Sequence, residues 1–61
     1  MEDFIKLLMT ETEMDYNESY SLLITIKYRG GNLKTAKSMY KSDGLYGLKV
    51  YENQLKYGIV Y

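Results

Sequence analysis

Ser38 and Lys41 stand three residues apart, a spacing that puts a hydroxyl and an amine on one helix face, where a lysine could activate a serine. Nothing beside them marks an oxyanion hole, so solvated helix residues are the expectation. The chain has no histidine and no cysteine. That removes the commonest general base, the thiol nucleophile and the usual zinc ligands. Glu11, Glu13, Asp15 and Glu18 crowd one region, and Asp15-x-Asn17-x-Ser19 imitates the opening of a calcium loop. Such a loop needs glycine at its sixth position and glutamate at its twelfth; here those positions hold Tyr20 and Ile26. No catalytic residue, cofactor or metal is expected, and the chain reads as a non-enzyme.

One stretch has sharper chemistry. Arg29-Gly30-Gly31-Asn32-Leu33-Lys34 places backbone N–H groups at a helix start beside two cations. Helix N-termini attract anions, and a lysine in a first turn opposes the helix dipole unless an anion is near. With Lys27, Lys37 and Lys41 added, the residues Lys27, Arg29, Gly31, Lys34, Lys37 and Lys41 form an expected phosphate- or nucleic-acid-contacting patch, although the spacing is not that of a P-loop.

The elements that must hold this patch follow from periodicity. Phe4, Leu7 and Leu8, flanked by Ile5 and Met9, predict a helix over about residues 3–12, with Asp3 favourable to its dipole. Residues 13–16 read as a connector and Asn17 as the N-cap of a second helix, about 17–29. That helix has one apolar stripe of Leu22, Leu23 and Ile26 and a second of Tyr20, Ile24 and Tyr28. Only Glu18, Ser21, Thr25 and Arg29 leave a polar strip. A helix apolar on most sides should be sandwiched, so this one is expected at the centre. Gly30-Gly31 suits its left-handed end, and Asn32 should cap a third helix, about 33–42, buried along Leu33, Ala36 and Tyr40. Asp43-Gly44 should stop it.

The tail from Leu45 to Tyr61 admits two readings. As a hairpin, residues 48–51 pair with 55–61 across Glu52-Asn53-Gln54, and Leu55, Tyr57, Ile59 and Tyr61 share a face. As a helix, Leu48, Tyr51, Glu52 and Leu55 fall at helical spacing, Glu52 pairs with Lys56, and Gly58 is the C-cap. Val50, Gly47 and the tyrosines favour strands. The expected fold is therefore α+β: a three-helix bundle over residues 3–42 followed by a hairpin over about 48–61, all within one domain of residues 1–61.

A chain of 61 residues buries only about 60% of its unfolded surface, and without cysteine no disulfide can staple it. Packing, a partner or self-association must supply the stability. Eight tyrosines are the obvious resource, each a large apolar ring with a polar tip. The net charge is zero, but it is unevenly spread. Residues 1–18 hold Glu2, Asp3, Glu11, Glu13, Asp15 and Glu18 against Lys6 alone, while residues 19–61 are basic, which makes the molecule a dipole. The acidic N-terminus is not a secretory signal, and no apolar run is long enough for a membrane. Cytoplasm is the expected location, the host's if the gene is phage-borne. The absence of proline, tryptophan and histidine beside abundant lysine, tyrosine and isoleucine fits an AT-rich phage or mobile element.

The run from about Leu8 to Tyr40 resembles a UBA-like three-helix domain. Met14-Asp15-Tyr16 stands where that family has a Met-Gly-aromatic loop, Gly31-Asn32-Leu33-Lys34-Thr35-Ala36 matches the start of its third helix, and Leu22, Leu23 and Ile26 take its second-helix core positions. Asp15 departs from the loop glycine and Met39-Tyr40 from the usual paired leucines, and ubiquitin binding in that family depends on those features. The resemblance therefore implies a fold rather than a ligand. Three helices and a hairpin also resemble the order of a winged-helix DNA-binding domain, with residues 33–42 as recognition helix and the tail as wing.

The functional expectation is a small binding protein acting on a protein partner, of the kind a phage uses to inhibit a host nucleic-acid-handling complex, as anti-CRISPR proteins do. Its protein-binding residues would be Met14, Asp15, Tyr16, Tyr40, Tyr46, Tyr51, Tyr57 and Tyr61. The alternative is a DNA-binding regulator using the basic third helix, with nucleic acid as partner. A homodimer through the C-terminal strand is expected to be open to either, because LKYGIVY is proline-free and apolar on one face.

Overall fold

A computed structural model describes residues 1–58. In these, the chain forms α1 (Glu2–Glu11), α2 (Tyr16–Tyr28) and α3 (Leu33–Lys56). Phe4, Ile5 and Leu8 bury one face of α1, with Glu2 and Asp3 in its first turn, where carboxylates favour the dipole. The helix stops at Thr12, which turns extended; its hydroxyl donates to the Leu8 carbonyl at 2.6 Å and accepts the Met14 N–H at 3.2 Å.

The second helix begins two residues before the expected start. Asp15, not Asn17, is the N-cap. Asp15 Oδ1 accepts the Glu18 N–H at 2.8 Å, and Glu18 Oε1 accepts the Asp15 N–H at 3.3 Å. This reciprocal box satisfies two otherwise unpaired donors. Asn17 has Tyr20 three residues on, which offers no such return bond. At the other end Gly31 N–H donates to Ile26 O at 2.8 Å and Gly30 N–H to Lys27 O at 3.1 Å, the paired bonds of a Schellman cap. Gly30 supplies the positive φ of 88°. Gly31 is needed for space: a methyl there would lie 2.6 Å from Leu55 Cδ1 and 2.7 Å from both Ile26 Cγ2 and Ile26 O. Asn32 caps α3 as expected, its side chain accepting the Lys34 N–H at 2.7 Å.

The tail overturns the expected fold class. The described residues contain no strand, and residues 45–56 are helical, so the architecture is all-helical rather than α+β. Gly44 does interrupt the third helix, at φ 68°, ψ −152°, a conformation essentially reserved for glycine. The chain then re-enters a helix. Gly47 seats the second arm against the first: a methyl there would lie 2.5 Å from Met39 O. The reason is burial. Leu48 is fully buried and Tyr51 nearly so, with Leu45 and Leu55 packed beside them. Spacings of three to four residues gather these four on one helical face, and tertiary packing outweighs the strand preference of Val50 and the tyrosines. Residues 45–56 are thus part of the bundle and no extension of it. The winged-helix order loses its wing. The expected dimerising strand also goes, since Leu55 and Lys56 are helical, Tyr57 is the C-cap and Gly58 follows it at φ 76°. Ile59 and Tyr61, which the hairpin needed, lie outside the described residues.

α2 packs against both α1 and α3 and is the central element. Ile5, Leu8, Leu23, Ile26 and Leu48 have no exposure at all, each contributing about 1.5–3 kcal/mol of burial. Phe4 and Tyr40 bridge α1 to α3, with ring centroids 6.0 Å apart and planes tilted 58°. Tyr51 pins the corner: its hydroxyl accepts the Asn32 N–H at 3.1 Å.

Candidate functional site

Four of the six acidic residues of the head are engaged within the fold, two across helices and two in a cap. Glu2 accepts the Tyr16 hydroxyl at 2.9 Å and Glu11 the Tyr40 hydroxyl at 2.7 Å, while Asp15 and Glu18 form the capping box. These bonds shift the phenols. The hydrogen bond to Glu2, with some desolvation and the carboxylate charge, raises Tyr16 above its ordinary value. Burial, followed by the hydrogen bond to Glu11, raises Tyr40. Both groups therefore keep their protons longer in the folded chain. Among the described residues no three metal-ligating side chains gather.

The basic patch is present as lysines but not as an anion cradle. Lys34 and Lys37 line a shallow groove with Met1, Asp3, Phe4 and Leu33, and Lys41 and Lys27 are exposed. The amides expected to be open are occupied, however. Gly31 N–H serves Ile26, Asn32 N–H serves Tyr51 and Lys34 N–H serves the Asn32 side chain. Arg29 reaches Glu52 at 3.4 Å, the one ion pair within 4 Å among the described residues; Glu52 does not take Lys56 as the helical reading had it.

The expected protein-binding tyrosines divide. Tyr40 and Tyr51 are core residues at 8% and 4% exposure and cannot dock anything, so both leave the expected docking set. Burial is set by where the helix face points, and residue type does not reveal it. Met14 is half-buried, Asp15 is the N-cap, and Tyr46 and Tyr57 are exposed. Tyr61 lies outside the described residues.

The residues missed, Tyr20, Ile24 and Tyr28, continue from the expected Tyr16 along α2. Its second apolar stripe, expected to be sandwiched, faces water. Tyr16 and Tyr20 stack at 6.2 Å with planes 11° apart. Ile24 is half-buried and Tyr28 is 91% exposed; with Thr25 and Arg29 these two line a shallow depression. Tyr16, Tyr20, Ile24 and Tyr28 follow i, i+4, i+8, i+12, a continuous ridge on a helix. The signal was in the sequence: two apolar stripes on one helix, in a chain too short to cover both. No helix among the described residues is long and apolar enough to cross a membrane. No protein-family model, curated protein or solved structure matches this chain.

Proposed function

We propose that this chain is a non-enzymatic protein-binding module that docks through the outward ridge of α2. The observation that carries the reading is Tyr28, 91% exposed at the end of a ridge with Tyr16, Tyr20 and Ile24. A domain this small is short of apolar burial, yet it leaves three rings exposed and an isoleucine only half-covered. Contiguous apolar surface of that kind marks interaction sites, and tyrosine is enriched where interfaces are strongest. The UBA-like resemblance is kept as a proposal about architecture, supported by three helices in order with Gly31-Asn32-Leu33 opening the third. The composition that suggested a mobile-element inhibitor adds host nucleic-acid-handling complexes to the targets worth testing.

The test is a binding assay on immobilised wild-type chain and on Ile24→Glu/Tyr28→Glu. Both should fold with the same helical content. Wild type should hold a protein at stoichiometric level, a second copy included, and the variant should lose it. Binding by the variant equal to wild type, or no protein bound by either, would remove the reading.

A further inference from the structure

We infer that the occupant of the α2 ridge is a second copy of this chain, docked antiparallel about a two-fold axis near the middle of α2; this rests on the reading of α2 as the docking face. Successive residues turn about 100° around a helix. The buried Ser19, Leu23 and Ile26 then fix the core side; Asn17, Ser21 and Tyr28 point away from it, with the half-buried Ile24 beside them. Tyr20 and Lys27 fall on one edge of that outward face, with Tyr16 beyond them toward α1, and Glu18, Thr25 and Arg29 on the other edge.

The charges on these edges are self-complementary in one orientation only. The N-terminal end of α2 carries Asp15 and Glu18, and its C-terminal end Lys27 and Arg29. A two-fold axis at mid-helix sets Tyr28 over Asn17 of the second copy and Ile24 over its Ser21. At 1.5 Å per residue, Glu18 then lies within about 3 Å, along the axis, of Arg29 on the adjoining edge of the second copy. The guanidinium meets Glu52 through NH1 alone, so it has donors left for a second carboxylate. On the opposite edge, Lys27 of the second copy reaches the stacked pair of Tyr16 and Tyr20, where a cation over a ring face is attracted. A parallel two-fold would instead swap the edges, putting Arg29 beside Lys27 of the second copy and leaving Glu18 against the tyrosine edge without a cation. The antiparallel one also opposes the helix dipoles. A zero net charge leaves no long-range repulsion between copies.

α2 is only about 20 Å long, so the contact falls below the roughly 800 Å² per partner of a standard interface. The expected dimer is weak and reversible, with a dissociation constant of about 10–100 μM. Sedimentation equilibrium across a concentration series up to about 1 mM brackets that range. Five samples decide the matter: wild type, Tyr28→Lys, Glu18→Arg, Arg29→Glu, and an equimolar mixture of the last two. Tyr28→Lys alters a side chain that is almost wholly in water, so the fold survives, and self-association should weaken at least about tenfold. Each charge variant alone faces like with like at both ends of the Glu18–Arg29 edge and should weaken about 10- to 30-fold. In the mixture the two altered positions face each other with opposite charges, and the native Arg29 of one variant faces the native Glu18 of the other. Association should therefore return as a heterodimer, visible by native mass spectrometry.

A wild type that stays monomeric throughout overturns the inference, as does a dimer indifferent to Tyr28→Lys or a mixture no better than its components. A monomeric wild type whose ridge still holds a different protein, lost in Ile24→Glu/Tyr28→Glu, removes the second copy and keeps the docking face. Loss of both removes both.

Discussion

Gly31→Ala tests whether the corner is set by space rather than by backbone freedom. The added methyl would meet Leu55 Cδ1 at 2.6 Å and Ile26 Cγ2 at 2.7 Å, both side-chain ends that can move, but also the Ile26 carbonyl oxygen at 2.7 Å. That oxygen accepts Gly31's own N–H at 2.8 Å, so relief must open the Schellman cap. Overpacking costs about 1–3 kcal/mol and the lost hydrogen bond about 1, for a total of roughly 2–4 kcal/mol. A chain of 61 residues has only about 3–9 kcal/mol in all. Thermal melts followed by circular dichroism should fall by roughly 10–25 °C. Gly30→Ala is the control. Its methyl meets nothing within 4 Å, but its φ is +88°, a left-handed strain of about 1–2 kcal/mol. Gly30→Asn should recover part of that loss, since asparagine tolerates the left-handed region, whereas Gly31→Asn should be no better than Gly31→Ala. Leu55→Ala should couple to Gly31→Ala by at least about 0.5 kcal/mol by removing the nearest atom. If Gly30→Ala proves as damaging as Gly31→Ala, or the Leu55 coupling is absent, the steric account of the corner is wrong.

Ser19 is fully buried and its hydroxyl has no partner among the described residues. Ser19→Ala should therefore raise stability by about 1 kcal/mol, through a removed desolvation cost and better helix propensity, read as a higher urea midpoint with unchanged slope. The raised Tyr16 and Tyr40 values make the alkaline limb steep. The stability they contribute is fully present below the ordinary value of 10 and is lost as pH rises through the higher folded values, because there the unfolded chain has released protons that the native one retains. Tyr40→Phe should cost about 1–2 kcal/mol near neutrality through the lost bond to Glu11 and flatten that limb; a variant with an unchanged alkaline slope would contradict the assignment.

What was legible in the sequence was local. Gly30-Gly31-Asn32 named the corner because each residue answers a backbone demand within four positions of itself. The spacing of Phe4, Leu8, Leu23 and Ile26 named the inward faces in the same way. The start of α2 was missed by two residues because Asp15 and Asn17 are both good caps and only the return bond from Glu18 separates them. The tail was missed for a non-local reason. Val50, Tyr51 and Tyr57 have strand preferences of their own, and what makes residues 45–56 helical is the seat offered to Leu48, Tyr51 and Leu55 by the corner and by Ile26. Tyr40 was legible as core from its spacing with Leu33 and Ala36, whereas the exposure of Tyr28 depends on the arrangement of all three helices.

The tyrosines then decide between the two exposed surfaces they create. Tyr40, Tyr51 and Tyr16 have hydroxyls bonded to Glu11, the Asn32 amide and Glu2, so their polar tips are committed within the fold. Tyr46, on the second arm of α3, and Tyr57, its C-cap, are exposed and, eleven residues apart, lie on the same side. That separation is about 16 Å, and the polar Asn53 lies between them on the same side. Two rings at such a distance do not form a continuous apolar surface. On α2 the ridge from Tyr16 to Tyr28 has one apolar residue per turn and no interruption, and Tyr16 and Tyr20 are already stacked. Ordering those two rings on binding therefore costs less side-chain entropy than ordering Tyr46 and Tyr57. The contiguous, partly preorganised surface is the one able to exclude water from a contact, so alteration of α2 should abolish binding while Tyr46→Ser and Tyr57→Ser leave it within about threefold.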